Sequence, residues 1–368
     1  MITFNGKYNT ANVMIDQIDP TCAAQIVSMI NHPALTGSTI VIMSDTHAGS
    51  GSVIGFTMPI GDRIVPNIVG VDIGCSIGGY FLPICAEDVD FKKLDNFIRT
   101  NIPSGFNKHA GPQGTLKDPL RRQIQDVCSK TGQDFYVVEC AIGTLGRGNH
   151  FIELNKSKTG NIVLVIHTGS RNFGLQVCGY HQRMAIKHCG AVYGDLAYLE
   201  GDTKEEYLSD MRVAQEYAAL NRHSIANRLC SEFFLTEPTK QIDTVHNYIN
   251  FEDKIIRKGA IQAHLGQELL IPLNMRDGTI VAIGKGNPAW NLSAPHGAGR
   301  KMSRSAAKKK LCVDTFREQM KGIWTSCISK HTLDEAPDAY KKADAILDNL
   351  EETAEIIEII KPIYNFKG

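Results

Sequence analysis

Apolar residues come largely in short runs that end near Gly, Asn or Asp, a pattern that predicts strands feeding turns. The runs are STIVIM (38–43), GGYFL (78–82), NIVLVIH (161–167), LLIPL (269–273) and TIVAIG (279–284). Elsewhere the apolar spacing lengthens to the helical period, over about 88–100 and 117–129 and again after a 167–174 loop. The longest predicted helix covers 203–233, with Leu208, Met211, Ala214, Ala218, Ile225 and Leu229 on one stripe. A last amphipathic helix is predicted over 337–359, on Tyr340, Ala343, Leu347, Leu350, Ala354 and Ile357. Strands and helices mix without a regular βαβ rhythm, so the expected class is α+β. With no internal repeat or linker-like segment, a single domain over 1–368 is the expected organisation.

Composition narrows the class. A chain of 368 residues, 43% apolar and 21% charged, can bury a substantial core as a soluble globular protein. Its 39 basic and 39 acidic residues cancel, so any nucleic-acid binding must come from a local patch. Ten Cys without a CxxC pair give neither a zinc-ribbon spacing nor a disulfide framework. The opening MITFNGKYNT lacks the apolar core of a signal peptide. No apolar run approaches the roughly 18 residues that span a bilayer. A reducing cytoplasm, with no membrane partner, is the expectation.

Candidate chemistry gathers in glycine-rich and turn-like segments. These are SDTHAGSGSVIG (44–55), VGVDIGCSIGG (69–79), GTLGRGNHFIEL (143–154), VIHTGSRNFG (165–174), DTVHNYINF (243–251) and SAPHGAGR (293–300). Taken singly, a His at a strand end is more often a hydrogen-bonded structural residue than a ligand, and a lone Cys more often a small buried hydrophobe. As a group they say more. His150, His167 and His246 can come from separate strands, and Asp72 and Cys75 share a glycine-rich turn. So mixed a donor set suits one metal or two, with a thiolate bridging, and paired metals suit phosphoryl chemistry. Ligand softness leaves zinc and manganese both open. His296 precedes Gly297-Ala298-Gly299-Arg300, and ligand, general base, nucleophile and loop histidine all stay open for it. The cationic run Arg300, Lys301, Arg304, Lys308, Lys309 and Lys310 reads either as a solvated helix face or as a phosphate track for RNA or DNA.

GVDIGC, GTLGRGNHFIE, HTGSRNFG, VHNY, HGAGRKMSR and the closing EAPDAYKKAD and KPIYNFKG, in that order, resemble the RtcB family of RNA-splicing ligases. The similarity runs from about residue 40 to the C-terminus. It implies one RtcB-like domain over 1–368, with mixed β-sheets surrounded by helices. It implies a GTP- and Mn²⁺-dependent ligase that joins RNA 3′-phosphate or 2′,3′-cyclic-phosphate ends to 5′-hydroxyl ends, in RNA repair or tRNA splicing. Some family members also need an activating protein.

Carried over by motif, the resemblance makes Asp72, Cys75, His150, His167 and His246 the ligands of two Mn²⁺ ions, with Cys75 bridging. His296 becomes the residue that takes up GMP. Asn149, His150, Glu153, His246, Asn247, Pro272, Asn274, Met275, His296, Gly297, Ala298, Gly299 and Lys367 become the GTP site. Arg171 and Arg300 become RNA- or phosphate-binding residues, while Asp45 and His47 line the site without an assigned role. One departure stands out: the family's Pro-Gly-Ser-Met segment is Pro272-Leu273-Asn274-Met275 here, which leaves guanine selectivity open, and the Asn274 amide is the expected substitute for the serine hydroxyl. Trp290, in GKGNPAWN (284–291), is either a base-stacking platform or loop packing. The competing readings are a metal-dependent RNA-end cyclic phosphoesterase, a non-ligating RNA-binding paralogue and an unrelated two-metal hydrolase.

Overall fold

A computed structural model describes residues 1–114 and 116–368. Its first sheet has six strands: β1 (Ile2–Asn5), β2 (Thr10–Val13), β3 (Ile40–His47), β4 (Ile54–Pro59), β9 (Asn247–Asn250) and β10 (Ile255–Lys258), in the order β1-β2-β3-β4-β10-β9. The second has seven: β5 (Ser76–Cys85), β6 (Phe151–Lys156), β7 (Asn161–Thr168), β8 (Lys240–Val245), β12 (Glu268–Asn274), β13 (Gly278–Gly284) and β15 (Ala354–Lys367), in the order β12-β13-β15-β6-β7-β5-β8. A small ribbon, β11 (Ala260–Gln262) with β14 (Ser293–Pro295), completes the strands among the described residues. Pairing is antiparallel except between β2 and β3. Helices pack alongside, so the fold is α+β with mixed sheets.

The apolar runs become strands as expected, and two buried clusters tie them to helices. Ile40, Ile42 and Phe56 of the first sheet pack with Phe173, Val177, Met211, Ala214 and Tyr217 from the helices Arg171–Cys189 and Gly201–Arg228. Leu154, Leu164 and Ile166 of the second sheet pack with Leu94 and Ile98 of the helix Phe91–Asn101, and with Ile225 and Leu229. Each such side chain, fully buried, contributes about 1.5–3 kcal/mol, so the two clusters hold the sheets as a stiff frame.

Three expectations are corrected. The helix Arg171–Cys189 begins inside the expected 167–174 loop. The long helix stops at Arg228 and passes into a π-helical turn, Leu229–Phe234, so it does not reach 233 as regular α-helix. The predicted helix over 337–359 is instead a 3₁₀ turn (Pro337–Ala339), a short helix (Asp344–Leu350) and strand β15. Ile356, Ile357, Ile359 and Ile360 explain that last difference. A β-branched run prefers extended backbone, and the slot between β13 and β6 rewards it by burying Ile360, Tyr364 and Phe366. Trp290 is 4% exposed and packs with Met14, Val41, Met43 and Ala260, so it is core rather than a free platform.

Candidate active site

Register across the second sheet lines up the strand ends that carry the candidate residues. Lys367 faces Phe151, Phe151 faces His167, and His167 faces Ile77. Ser76, next along β5, faces Val245. His150 directly precedes Phe151, Cys75 precedes Ser76, and His246 follows Val245, so all reach the same edge. His246 is the single residue between β8 and β9, where the chain leaves one sheet for the other. Its backbone N–H donates to the Cys75 carbonyl at 3.0 Å. Gly74 has φ +70°, and an added Cβ would meet the Ala218 methyl at 2.8 Å, so the Asp72–Cys75 turn needs glycine there.

The geometry fixes where the imidazole lone pairs point. His150 Nδ1 lies 2.9 Å from the Leu145 carbonyl and His167 Nδ1 lies 3.0 Å from the Asn149 carbonyl. A carbonyl only accepts, so each Nδ1 carries the proton and each Nε2 presents a lone pair. Those Nε2 atoms sit 3.5 and 3.2 Å from Cys75 Sγ, and His167 Nε2 is 3.2 Å from His246 Nε2. Asp72 Oδ2 is 2.9 Å from His150 Nε2. Acceptors packed this closely need a cation or extra protons among them. Protonation is disfavoured, because burial, reinforced by the neighbouring imidazoles, holds the pKa values of His167 and His246 well below the usual histidine range. Burial and the Asp72 carboxylate push the Cys75 thiol up. Burial also works to raise Asp72, yet a proton on His150 Nε2 would donate to it and, with Arg171, leave it lowered; without that proton the carboxylate is one more acceptor in the cluster. Cys75, His150 and His167 have ligand atoms within 4.8 Å of one another, and Asp72 and His246 adjoin them. This donor set fits a divalent metal.

Beside it lies a cavity of about 280 Å³. Asp72, Cys75, Asn149, Glu153, His167, His246, Asn247, Pro272, Asn274, Met275, His296, Gly297, Ala298, Gly299, Arg300 and Lys367 all line it. His150 and Arg171 do not; His150 backs Asp72 and Cys75, and Arg171 lies behind His150, its Nη1 3.5 Å from His150 Nδ1.

His296 is held by Asp45, a fully buried residue of β3. Asp45 Oδ2 is 2.6 Å from His296 Nδ1 and accepts from the backbone N–H groups of His296 at 3.0 Å and Gly297 at 3.2 Å. Nδ1–H therefore points at the carboxylate, and Nε2 is left as the free nitrogen. Gly299 has φ +69°, and an added Cβ would lie 3.0 Å from the Asp45 Cα, which closes the loop onto β3. The His296 ring centroid is 5.1 Å from that of His246, so the free nitrogen belongs to the same site as the metal-type donors.

In the same cavity, Lys367 Nζ reaches Glu335 Oε2 at 2.7 Å and the Asn149 carbonyl at 3.4 Å. Glu335 is 2% exposed. Burial works to raise its pKa, but Lys367, Arg304 and Arg300 more than offset this and hold it low. Glu153 accepts from Asn155 at 2.8 Å and from Asn365 at 2.5 Å; burial still pushes it up to about 7.

Two arginines expected at RNA or phosphate are engaged internally. Arg300 donates to the Met302 and Asp334 carbonyls, to Glu335 and to the Tyr340 hydroxyl. Arg171 donates to Thr144 Oγ1 and the Gly105 carbonyl, both at 3.2 Å. The Asn274 amide closes its own hairpin, donating to Asp277 at 2.7 Å while its oxygen accepts from the N–H groups of Arg276 and Asp277. It is therefore committed to the turn rather than free as a serine substitute. Of the residues sequence reasoning left without a role, Asp45 and Glu335 matter most. The first stands two positions before His47 in SDTH, and the second opens EAPDAY.

Comparison with known proteins places the chain in a family. The family model described as "tRNA-splicing ligase RtcB" matches residues 25–140 and 131–368. The "RNA-splicing ligase RtcB" of Escherichia coli K12 is 30% identical, with 89% of this chain and 90% of that protein covered. The "tRNA-splicing ligase RtcB" of Aeropyrum pernix is 27% identical over 83% of this chain and 82% of its own. That of Archaeoglobus fulgidus is 26% identical, with coverage of 95% and 92%. With nearly the whole sequence matched and the strand ends gathered around one cavity, the chain belongs to the RtcB family of RNA-splicing ligases.

Proposed function

We propose that residues 1–368 form one ligase domain, acting in the cytoplasm, that joins RNA 3′-phosphate or 2′,3′-cyclic-phosphate ends to 5′-hydroxyl ends with GTP and two Mn²⁺ ions. The observation that carries the reading is the Asp45–His296 pair, with Nδ1 engaged at 2.6 Å and Nε2 free beside the His/Cys/Asp cluster. A buried carboxylate that fixes the tautomer makes the other nitrogen a nucleophile.

In the first step the Nε2 lone pair attacks the α-phosphorus of GTP. A P–N bond forms, the α–β P–O bond breaks, and pyrophosphate leaves; Nδ1–H stays on Asp45. Next an oxygen of the RNA 3′-phosphate attacks the same phosphorus, breaking P–N and leaving the 3′ end capped by GMP. The 5′-hydroxyl oxygen then attacks the RNA 3′-phosphorus, loses its proton and releases GMP. A cyclic phosphate needs one water added beforehand. Bound to Asp72, Cys75, His150, His167 and His246, divalent metal supplies charge that offsets the phosphate oxygens. Lys367, anchored by Glu335, and Glu153, steadied by Asn155 and Asn365, line the same cavity and would face the nucleotide.

Purified protein given GTP, Mn²⁺ and RNA with a 2′,3′-cyclic-phosphate end and a 5′-hydroxyl end tests the reading. Joined RNA and free GMP are expected. Ends that are opened but never joined would assign the chain as a cyclic phosphoesterase. RNA bound yet unchanged, in the presence of any activating protein, would assign a non-ligating paralogue.

A further inference from the structure

Phe106 stands out on the surface: its ring is 77% exposed. Arg147, exposed as well, lays its guanidinium 4.1 Å from the centroid of that ring. Most of the residue is open to solvent, and a cation sits over its ring. This is the composition of a platform on which a nucleobase stacks and its phosphate finds a counter-charge.

The pair is tied to the active site by its backbone. The Gly105 N–H donates to the Gly146 carbonyl at 2.8 Å, and Ser104 pairs with Gly146 in a β-bridge, so the Phe106 loop and the Gly146-Arg147-Gly148-Asn149 turn are one unit. Asn149 lines the cavity, and its carbonyl receives both Lys367 and His167. Arg171 holds the same unit from behind, through the Gly105 carbonyl and Thr144, and reaches His150 Nδ1 at 3.5 Å. Arg304, paired with Asp334 and Glu335, lies 3.3 Å from where a Gly148 Cβ would stand and lines the cavity, so the same turn borders the site. Lys108, exposed two residues beyond Phe106, adds a further positive group.

We infer that Phe106 and Arg147 form the stacking subsite for an unpaired nucleotide next to the reacting end of single-stranded RNA. This rests on the ligase reading above and names the residues that hold its RNA. Because Arg171 and Arg300 are engaged within the protein, the platform is where RNA meets uncommitted side chains.

RNA carrying a 3′-phosphate, with 2-aminopurine placed singly at successive terminal positions, reads the stacking directly. A matching series carries a 5′-hydroxyl. At one position in one of the series the wild type quenches the fluorescence. Phe106→Ala restores the free-RNA signal, and Phe106→Trp quenches again. Phe106→Ala weakens RNA binding roughly tenfold, as expected for one stacked base, and raises KM for RNA more than it lowers kcat. Arg147→Ala also weakens binding and reduces the slope of log K against log salt by about one. Equal quenching by the wild type and Phe106→Ala at every position, with unchanged RNA affinity, would overturn the inference. The quench needs no chemistry, so its failure is separable from that of the ligase reading, which shows as absent joining in the wild type.

Discussion

Two buried clusters meet at the cavity, joined through the Asn149 carbonyl, and they are built on opposite principles. The Cys75–His150–His167 group, with Asp72 and His246, packs acceptor against acceptor with no protein cation among them. The Glu335 group sets Glu335, with Asp334 beside it, among Lys367, Arg300, Arg304 and the Tyr340 hydroxyl, so each cation there meets a carboxylate within the chain. The first is incomplete until something positive arrives; the second is complete and serves to hold Lys367 still. The two clusters therefore differ in whether the protein closes its own electrostatics.

The comparison breaks most sharply at the metal-type cluster. Added Mn²⁺ should raise the melting midpoint of the wild type, because binding at a hundred times Kd stabilises by about 2.7 kcal/mol. Cys75→Ala and His167→Ala should lose both that shift and ligation, and chelation should reproduce the loss in the wild type. A metal-independent melting midpoint in the wild type would contradict the incomplete-cluster account. Next in size is Asp45→Asn, which keeps the shape but removes the charge that steadies the His296 tautomer. Labelling by GTP should slow by about 10²–10⁴-fold with the metal response intact, as single-turnover kinetics would show.

On the complete side, Glu335→Gln leaves Lys367 and Arg300 without their buried counter-charge, while Arg304 keeps Asp334. It should cost about 3–5 kcal/mol in denaturant unfolding, and more than Glu237→Gln at an exposed position. The last effect is a pH slope from Glu153. Burial raises its folded pKa to about 7, above its unfolded value near 4.5. The folded state therefore binds the proton more tightly, and this contribution is present below pH 4.5 and lost as pH rises through 7. By linkage the loss is about 3 kcal/mol, so Glu153→Gln should gain on the wild type from pH 4.5 to 7 in metal-free protein; parallel pH profiles would contradict it.

Much of this was legible in the sequence, for reasons that differ by residue. STIVIM, NIVLVIH and TIVAIG read as strands because buried β-branched runs closed by turn residues have few other homes. The segment 354–367 did not, since its apolar spacing also matches a helix, and only the slot between β13 and β6 decides the matter. His150, His167, His246 and His296 stood out by their turn-rich surroundings. Asp45 stood out only as a residue lining the site and Glu335 not at all, because their roles lie in partners 251 and 32 positions away. Arg300 and Arg171 show the reverse: their chemistry suits phosphate, but the fold has already supplied their acceptors.

The central claim is that His296 Nε2 is the nucleophile, and one labelling experiment addresses it most directly. Protein incubated with α-labelled GTP and Mn²⁺, without RNA, should acquire one covalently held GMP that survives alkali and is released by acid, as a phosphoramidate is. The His296→Ala protein, shown to be folded by its melting curve, should acquire none. Equal labelling of His296→Ala and the wild type would contradict the account.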